Sequence, residues 1–238
     1  MLSPQQAEQL SRNLNQVRTR IRQAAERSGR SEQDVELVAV TKSSSWDAIL
    51  SLLELKHSTL GENRPQQLIE RANSLNLERP DLPVRWHLIG QLQRNKVRSI
   101  LPLPALIHSV DSVRLLDRIE DVSAETGDTP QLLLQVNISQ EASKSGFSVN
   151  DVRETISQIT QWPHLAIRGL MTMAPLTDDV PVIRAVFQNL RTLRDELATQ
   201  THPLPELSMG MSGDYEIAIE EGATLVRIGS AIFEGCET

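Results

Sequence analysis

Leu37-Val38-Ala39-Val40-Thr41-Lys42, followed at once by Ser43-Ser44-Ser45, is the stretch on which the fold turns. Its apolar, β-branched run reads as a strand buried on both faces, the pattern of a parallel sheet covered by helices. A lysine that closes such a strand stands where α/β proteins keep their chemistry. Burial there would depress the lysine pKa and leave a neutral amine able to attack a carbonyl. The alternative is a surface lysine whose stem covers apolar atoms, so the flanking sequence has to decide.

Upstream, Ser3 is a good N-cap, Pro4 suits the first helical position and Gln6 completes a capping box. Leu10, Leu14, Val17, Ile21 and Ala24 recur at spacings of four and three, and Gly29 is a natural stop. This predicts an amphipathic helix within residues 1–30 that packs on the barrel. Downstream, strand candidates are Leu37–Thr41, Ser58–Gly61, Arg85–Ile89, Ala105–Val110, Gln131–Ile138, Ala166–Met171, Glu206–Met209 and Thr224–Ile228. Helical patterns fill the gaps. The clearest carries Val182, Ile183, Val186, Phe187, Leu190, Leu193 and Leu197, and the weakest is the stretch after Gly90. Eight strands alternating with helices predict an α/β fold, a single (β/α)8 barrel over residues 1–238. An open doubly wound sheet is disfavoured because no GxGxxG follows the first strand.

The bulk numbers agree with a globular protein of this size. The chain has 238 residues, 39% hydrophobic and 23% charged. Its net charge of -7 has acidic residues spread along the chain, which disfavours nucleic acid and anionic membranes as partners. Cys236 is the one cysteine, so no internal disulfide and no CxxC metal motif is expected. The polar opening Met1-Leu2-Ser3-Pro4 is unlike a signal peptide, and no window of about 18 apolar residues exists. The expected compartment is the cytoplasm.

If the fold is a barrel, function lies at the C-terminal strand ends. These supply Lys42, then Gly61-Glu62-Asn63-Arg64, His87 running to Gln91, and His108-Ser109-Val110-Asp111. Asn137-Ile138-Ser139 and Met171-Thr172-Met173 come next, then Ser208 to Asp214 and Arg227-Ile228-Gly229-Ser230. Barrels often bind phosphate after strands seven and eight. There Gly210, Gly213 and Gly229 let backbone N–H groups approach an anion, and Ser208, Ser212 and Ser230 add hydroxyls. Joined to a strand-end lysine, this points to a phosphorylated carbonyl compound held as a Schiff base. Arg227 is either paired with a carboxylate such as Glu62 or a donor to a bound ring. An arginine at a pyridine nitrogen leaves that nitrogen neutral, which makes a poor electron sink.

With these motifs in order, the chain resembles the pyridoxal phosphate homeostasis protein family, the YggS or PROSC type of pyridoxal 5'-phosphate (PLP) binding protein, including its cyanobacterial members. The resemblance spans LVAVTK at 37–42, GENR at 61–64, WHLIGQLQRNK at 86–96, HSVDS at 108–112 and KSGF at 144–147. GLMTMAP at 169–175, SMGMSGD at 208–214 and VRIGSAIF at 226–233 complete it. One departure is Glu234 directly after Phe233, where the family usually has glycine. The resemblance implies a barrel of the alanine racemase N-terminal domain type with PLP at its mouth. It implies that Lys42 forms the Schiff base and Arg227 faces the pyridine nitrogen. It matches Ser208, Gly229 and Ser230 to phosphate-binding positions, with Met209, Gly210, Met211 and Ser212 forming that loop. Asn63, His87 and Met171 match residues lining the cofactor.

The resemblance also implies a role in PLP homeostasis and amino-acid and keto-acid balance rather than an assigned reaction. A racemase needs an acid/base group on each face of its substrate, and the one tyrosine, Tyr215, reads as helix packing. The favoured reading is therefore a PLP carrier or regulator that serves PLP-accepting apo-enzymes. The alternatives are a weak PLP-dependent racemase or lyase and, last, a class I aldolase using Lys42 without PLP. The basic cluster Arg94, Lys96 and Arg98 reads as a solvated face or a partner site. A monomer is expected.

Overall fold

The computed structural model describes residues 2–139, 141 and 145–236. Met1 and Lys144, the first residue of the KSGF motif, lie outside the described residues. Eight parallel strands close into one barrel in chain order. They are β1 (Glu36–Val40), β2 (Thr59–Glu62), β3 (Arg85–Leu88), β4 (Leu106–Val110), β5 (Gln131–Gln135), β6 (Ala166–Met171), β7 (Glu206–Ser208) and β8 (Leu225–Ile228). The helices are α1 (Pro4–Arg27), α2 (Trp46–Glu54), α3 (Pro65–Glu78), α4 (Val97–Ile100), α5 (Val113–Thr126), α6 (Val149–Ser157), α7 (Val180–Leu197), α8 (Tyr215–Glu220) and α9 (Ser230–Phe233). Closure is by β1 on β8, with Glu36 opposite Leu225 and Ala39 opposite Ile228.

Alternation along the strands divides the core in two. Val38, Leu106, Leu133, Met171 and Leu225 point into the barrel, with Ile89 packed on them. Their neighbours Leu37, Ala39, Leu132, Leu134 and Val226 point outward into the larger core beneath the helices. The strand after residue 36 is thus buried on both faces, as its unbroken apolar run predicts.

Several strands are shorter than expected. β1 ends at Val40 and β5 at Gln135 rather than Ile138. The Val136 N–H still donates to the Met171 carbonyl at 2.8 Å, and the chain then leaves the ladder: Val136 bridges to Phe147, and the Asn137 N–H donates to the Phe147 carbonyl at 2.9 Å. After Gly90 there is only a 3-10 turn and the four-residue α4, a stretch with little helical periodicity.

α1 closes the outside of the barrel. Its capping box forms as predicted: the Ser3 hydroxyl accepts from the Gln6 N–H and the Gln6 side chain accepts from the Ser3 N–H. Leu10, Leu14, Val17 and Ile21 are buried, each worth about 1.5–3 kcal/mol. Asn13 donates to the Ile232 and Glu234 carbonyls at 3.0 and 2.9 Å. Arg20 and Arg27 pair with Glu216, but these arginines are half exposed and contribute little. The apolar seam therefore holds α1 over α8 and α9, helices of six and four residues. Among the described residues no helix is long and apolar enough to cross a membrane.

Candidate functional site

The mouth of the barrel begins where β1 stops. Thr41 turns outward, and its hydroxyl donates to the Glu62 carboxylate at the end of β2. Arg71 of α3 reaches the same carboxylate, and it donates to the Thr41 and Ser44 carbonyls, both at 2.8 Å. Gln67, one turn earlier, donates to the Lys42 carbonyl at 3.2 Å. Three carbonyls of the Thr41–Ser44 turn thus accept from one helix, and Ser45 caps α2 directly after it. The turn is held while the Lys42 side chain is exposed. The expected burial of this lysine is corrected: the ladder ends at Val40, so Lys42 stands two residues above it in a turn open to water. Lys42 and Asn63 line one cleft of about 580 Å³ with Arg64, Gln66, Gln67 and Glu70. Gly90 closes behind Asn63, since a Cβ there would lie 2.0 Å from the Asn63 carbonyl oxygen.

Below the mouth, four inward side chains form one hydrogen-bonded line. Arg227 Nη1 donates to Ser208 Oγ. Ser208 Oγ lies 2.7 Å from His108 Nδ1, and His108 Nε2 lies 2.9 Å from His87 Nδ1. The other end of Arg227 donates to the Thr172 carbonyl at 3.0 Å. Burial pushes the His87 pKa down to about 3 and that of His108 well below its ordinary value, so both rings are neutral near pH 7. Burial also pushes the Arg227 guanidinium down to about 10, which leaves it charged. The alternative of an Arg227–Glu62 pair is excluded, because Glu62 is held by Arg71. Among the described residues no carboxylate comes within ion-pair distance of Arg227, although Asp214 acts on it at longer range. Burial in turn raises the Asp214 carboxyl. A buried charge without a close counter-charge costs stability; its presence calls for a use.

The loops after β7 and β8 stand beside this line. Gly210 has φ 92°, and a Cβ on it would lie 2.6 Å from Ala218 Cβ, so only glycine fits. Its carbonyl accepts from the Arg227 N–H at 3.0 Å. The Met211 N–H donates to Asp214 Oδ1 at 2.6 Å, and Met209 is buried. Ser212 and Ser230 line one surface depression with Phe233 and Glu234, and Gly229 lies against the Val40 carbonyl. Ser208 differs from these: its hydroxyl lies inside the barrel, bonded to His108 and Arg227. Met171 faces the same interior.

Other expectations resolve plainly. Tyr215 is buried at the start of α8, with the Arg20 guanidinium 5.6 Å from its ring centre, so it packs under α1. The basic cluster does not converge: Arg98 pairs with Glu125, and Arg94 lines a shallow cleft with Arg114, Asp117, Arg118 and Asp121. His108 has no role that the sequence alone assigns, although strand alternation is enough to turn it inward. Nothing in the sequence marks Arg71 or Gln67 as supports of the lysine turn.

Comparison with known proteins places this geometry among relatives. Residues 12–236 match the family described as alanine racemase, N-terminal domain. The chain is 37% identical over 221 residues to a pyridoxal phosphate homeostasis protein of Aquifex aeolicus, covering 92% of this chain and 95% of that one. It is similar to PipY of Synechococcus elongatus, whose structure was solved with PLP bound: 38% identity, TM-score 0.76, 90% of this chain and 99% of that chain. An alanine racemase of Clostridium difficile has the same fold at 15% identity and TM-score 0.76; the match covers 94% of this chain and 56% of the racemase.

Proposed function

The chain belongs to the pyridoxal phosphate homeostasis protein family, built on the alanine racemase N-terminal domain, and we propose that it is a cytoplasmic PLP carrier acting in PLP homeostasis and amino-acid and keto-acid balance. The observation that carries this reading is Arg227, a buried guanidinium with no close carboxylate among the described residues, set beneath a lysine-bearing mouth. When bound, PLP supplies an aldehyde that condenses with a primary amine, releasing water. Lys42 is the amine we assign to it; its exposure lets the aldehyde arrive and leave. Arg227 donates to the ring nitrogen and cannot protonate it, which keeps the ring a poor electron sink. Asn63, His87 and Met171 line the ring. Met209, Gly210, Met211, Ser212, Gly229 and Ser230 bind the phosphate, and Ser208 supports Arg227 from below.

One feature of the chain fits such a group: His87 Nε2 is buried without a partner. The single barrel domain acts as a monomer that passes PLP to apo-enzymes, without nucleic acid or membrane. Purified protein is expected to show a visible band that borohydride fixes as added mass on Lys42, and Lys42→Ala should lack it. A wild-type protein that takes up no added PLP refutes the reading. Rapid exchange of an amino acid's α-proton in deuterated water would favour a racemase or lyase.

A further inference from the structure

We infer that Ser208 and His108 form a one-way hydrogen-bond relay through which Arg227 fixes His87 as a donor, so that this histidine cannot act as a base. The direction comes from counting hydrogens. A guanidinium has no acceptor atom, so Ser208 Oγ must accept from Arg227. The hydroxyl hydrogen of Ser208 then has one acceptor within reach among the described residues, His108 Nδ1 at 2.7 Å. His108 must therefore carry its hydrogen on Nε2, which donates to His87 Nδ1 at 2.9 Å. His87 is left with its hydrogen on Nε2.

The opposite direction keeps three bonds but leaves one more polar group unmet. With His108 protonated on Nδ1, the Ser208 hydrogen loses its acceptor and the His87 Nε2 lone pair is buried unused. The forward direction leaves only the His87 Nε2–H unmet, and each unmet buried polar group is costly. Both rings are neutral in this interior, so one hydrogen per ring is the whole supply.

Resting on the carrier reading, this makes His108 and Ser208 positioning residues. They hold Arg227 toward the ring and turn the last N–H of the line toward an acceptor that the ligand brings. A base needs a free lone pair, and His87 has none: Nδ1 accepts from His108 and Nε2 holds hydrogen. The buried histidine pair is thereby withheld from proton abstraction, as suits a protein that keeps PLP without turnover.

The test uses ligand-free, 15N-labelled protein carrying His164→Gln and His202→Gln, which leaves three rings. Long-range 1H–15N correlation is expected to show a bare Nδ1 and a protonated Nε2 for all three. The third ring, His57, belongs in this set because its Nε2 faces the Thr59 carbonyl at 3.1 Å. Ser208→Ala should leave His108 and His87 as mixed tautomers, a change that simple packing would not produce. A hydrogen on Nδ1, or two hydrogens, on His87 or His108 in the protein with Ser208 intact overturns the relay. So do unchanged tautomers after Ser208→Ala. Protein with the expected tautomers that binds no PLP upholds the relay and refutes the carrier reading alone.

Discussion

Arg71 and Glu62 hold the turn that presents Lys42, and losing the arginine alone should cost more than losing both. Their side chains are 13% and 0% exposed. Glu62 Oε2 already has no partner, and Oε1 is shared between Arg71 and the Thr41 hydroxyl. Arg71→Met leaves that carboxylate buried with one neutral donor, a situation that costs about 3–5 kcal/mol. It also takes a donor from the Thr41 and Ser44 carbonyls, at about 1–3 kcal/mol for each that water cannot reach. Adding Glu62→Leu removes the stranded charge. Apolar replacement of a buried pair ranges from neutral to stabilising by about 1–4 kcal/mol, which offsets most of the carbonyl loss. The double variant is therefore expected within about 2 kcal/mol of wild type, with a coupling of about 2–4 kcal/mol in the cycle. Urea unfolding followed by the fluorescence of Trp46, Trp86 and Trp162 measures all four corners. A cost below about 1 kcal/mol for Arg71→Met, or a double variant as unstable as the sum of the singles, would refute the reasoning. At restored stability the double variant should still retain PLP less well, since the Lys42 turn has lost its supports.

The buried groups lead to two more outcomes. Arg227→Met removes a buried charge with no close counter-ion, so thermal stability should hold or rise while PLP retention falls; a fall in stability of more than about 2 kcal/mol contradicts this. His57 is buried, and burial, with Arg18 nearby, pushes its pKa down to about 4 from about 6.5. The unfolded chain then binds the proton first, so the share of stability from keeping His57 neutral is full above about pH 6.5 and is lost as pH falls toward 4. That share is at most about 3 kcal/mol, and urea midpoints at pH 7 and pH 4.5 should converge between wild type and His57→Gln; a constant gap disproves it.

Much of the architecture is legible in the chain because it rests on local chemistry. The run before Thr41 and Lys42 is apolar at every position from Leu37 to Val40, as a strand covered on both faces requires. Ser3, Pro4 and Gln6 specify a helix start through groups three residues apart. Of the glycines after β7 and β8, Gly210 marks a close approach, at φ 92° against α8, whereas Gly213 has open space around it. Strand ends are less legible: Val136 carries the same apolar signal as Leu134 and its N–H still donates to the Met171 carbonyl of β6, but the Gln135 carbonyl and Asn137 N–H on either side of it bond to Phe147 across the loop.

Local sequence suffices for the eight alternating units, the two-sided burial of the strands and the identity of the residues at the strand ends, since these rest on period and short-range hydrogen bonding. Which of those residues meet was settled by the closed barrel alone. It set Glu62 on Arg71 rather than on Arg227, left Lys42 in water above the last ladder bond, and brought His108 of β4 onto Ser208 of β7 across 100 residues of chain. Such pairings depend on strand register and barrel curvature, which are summed over all eight strands and are written at no single place in the chain.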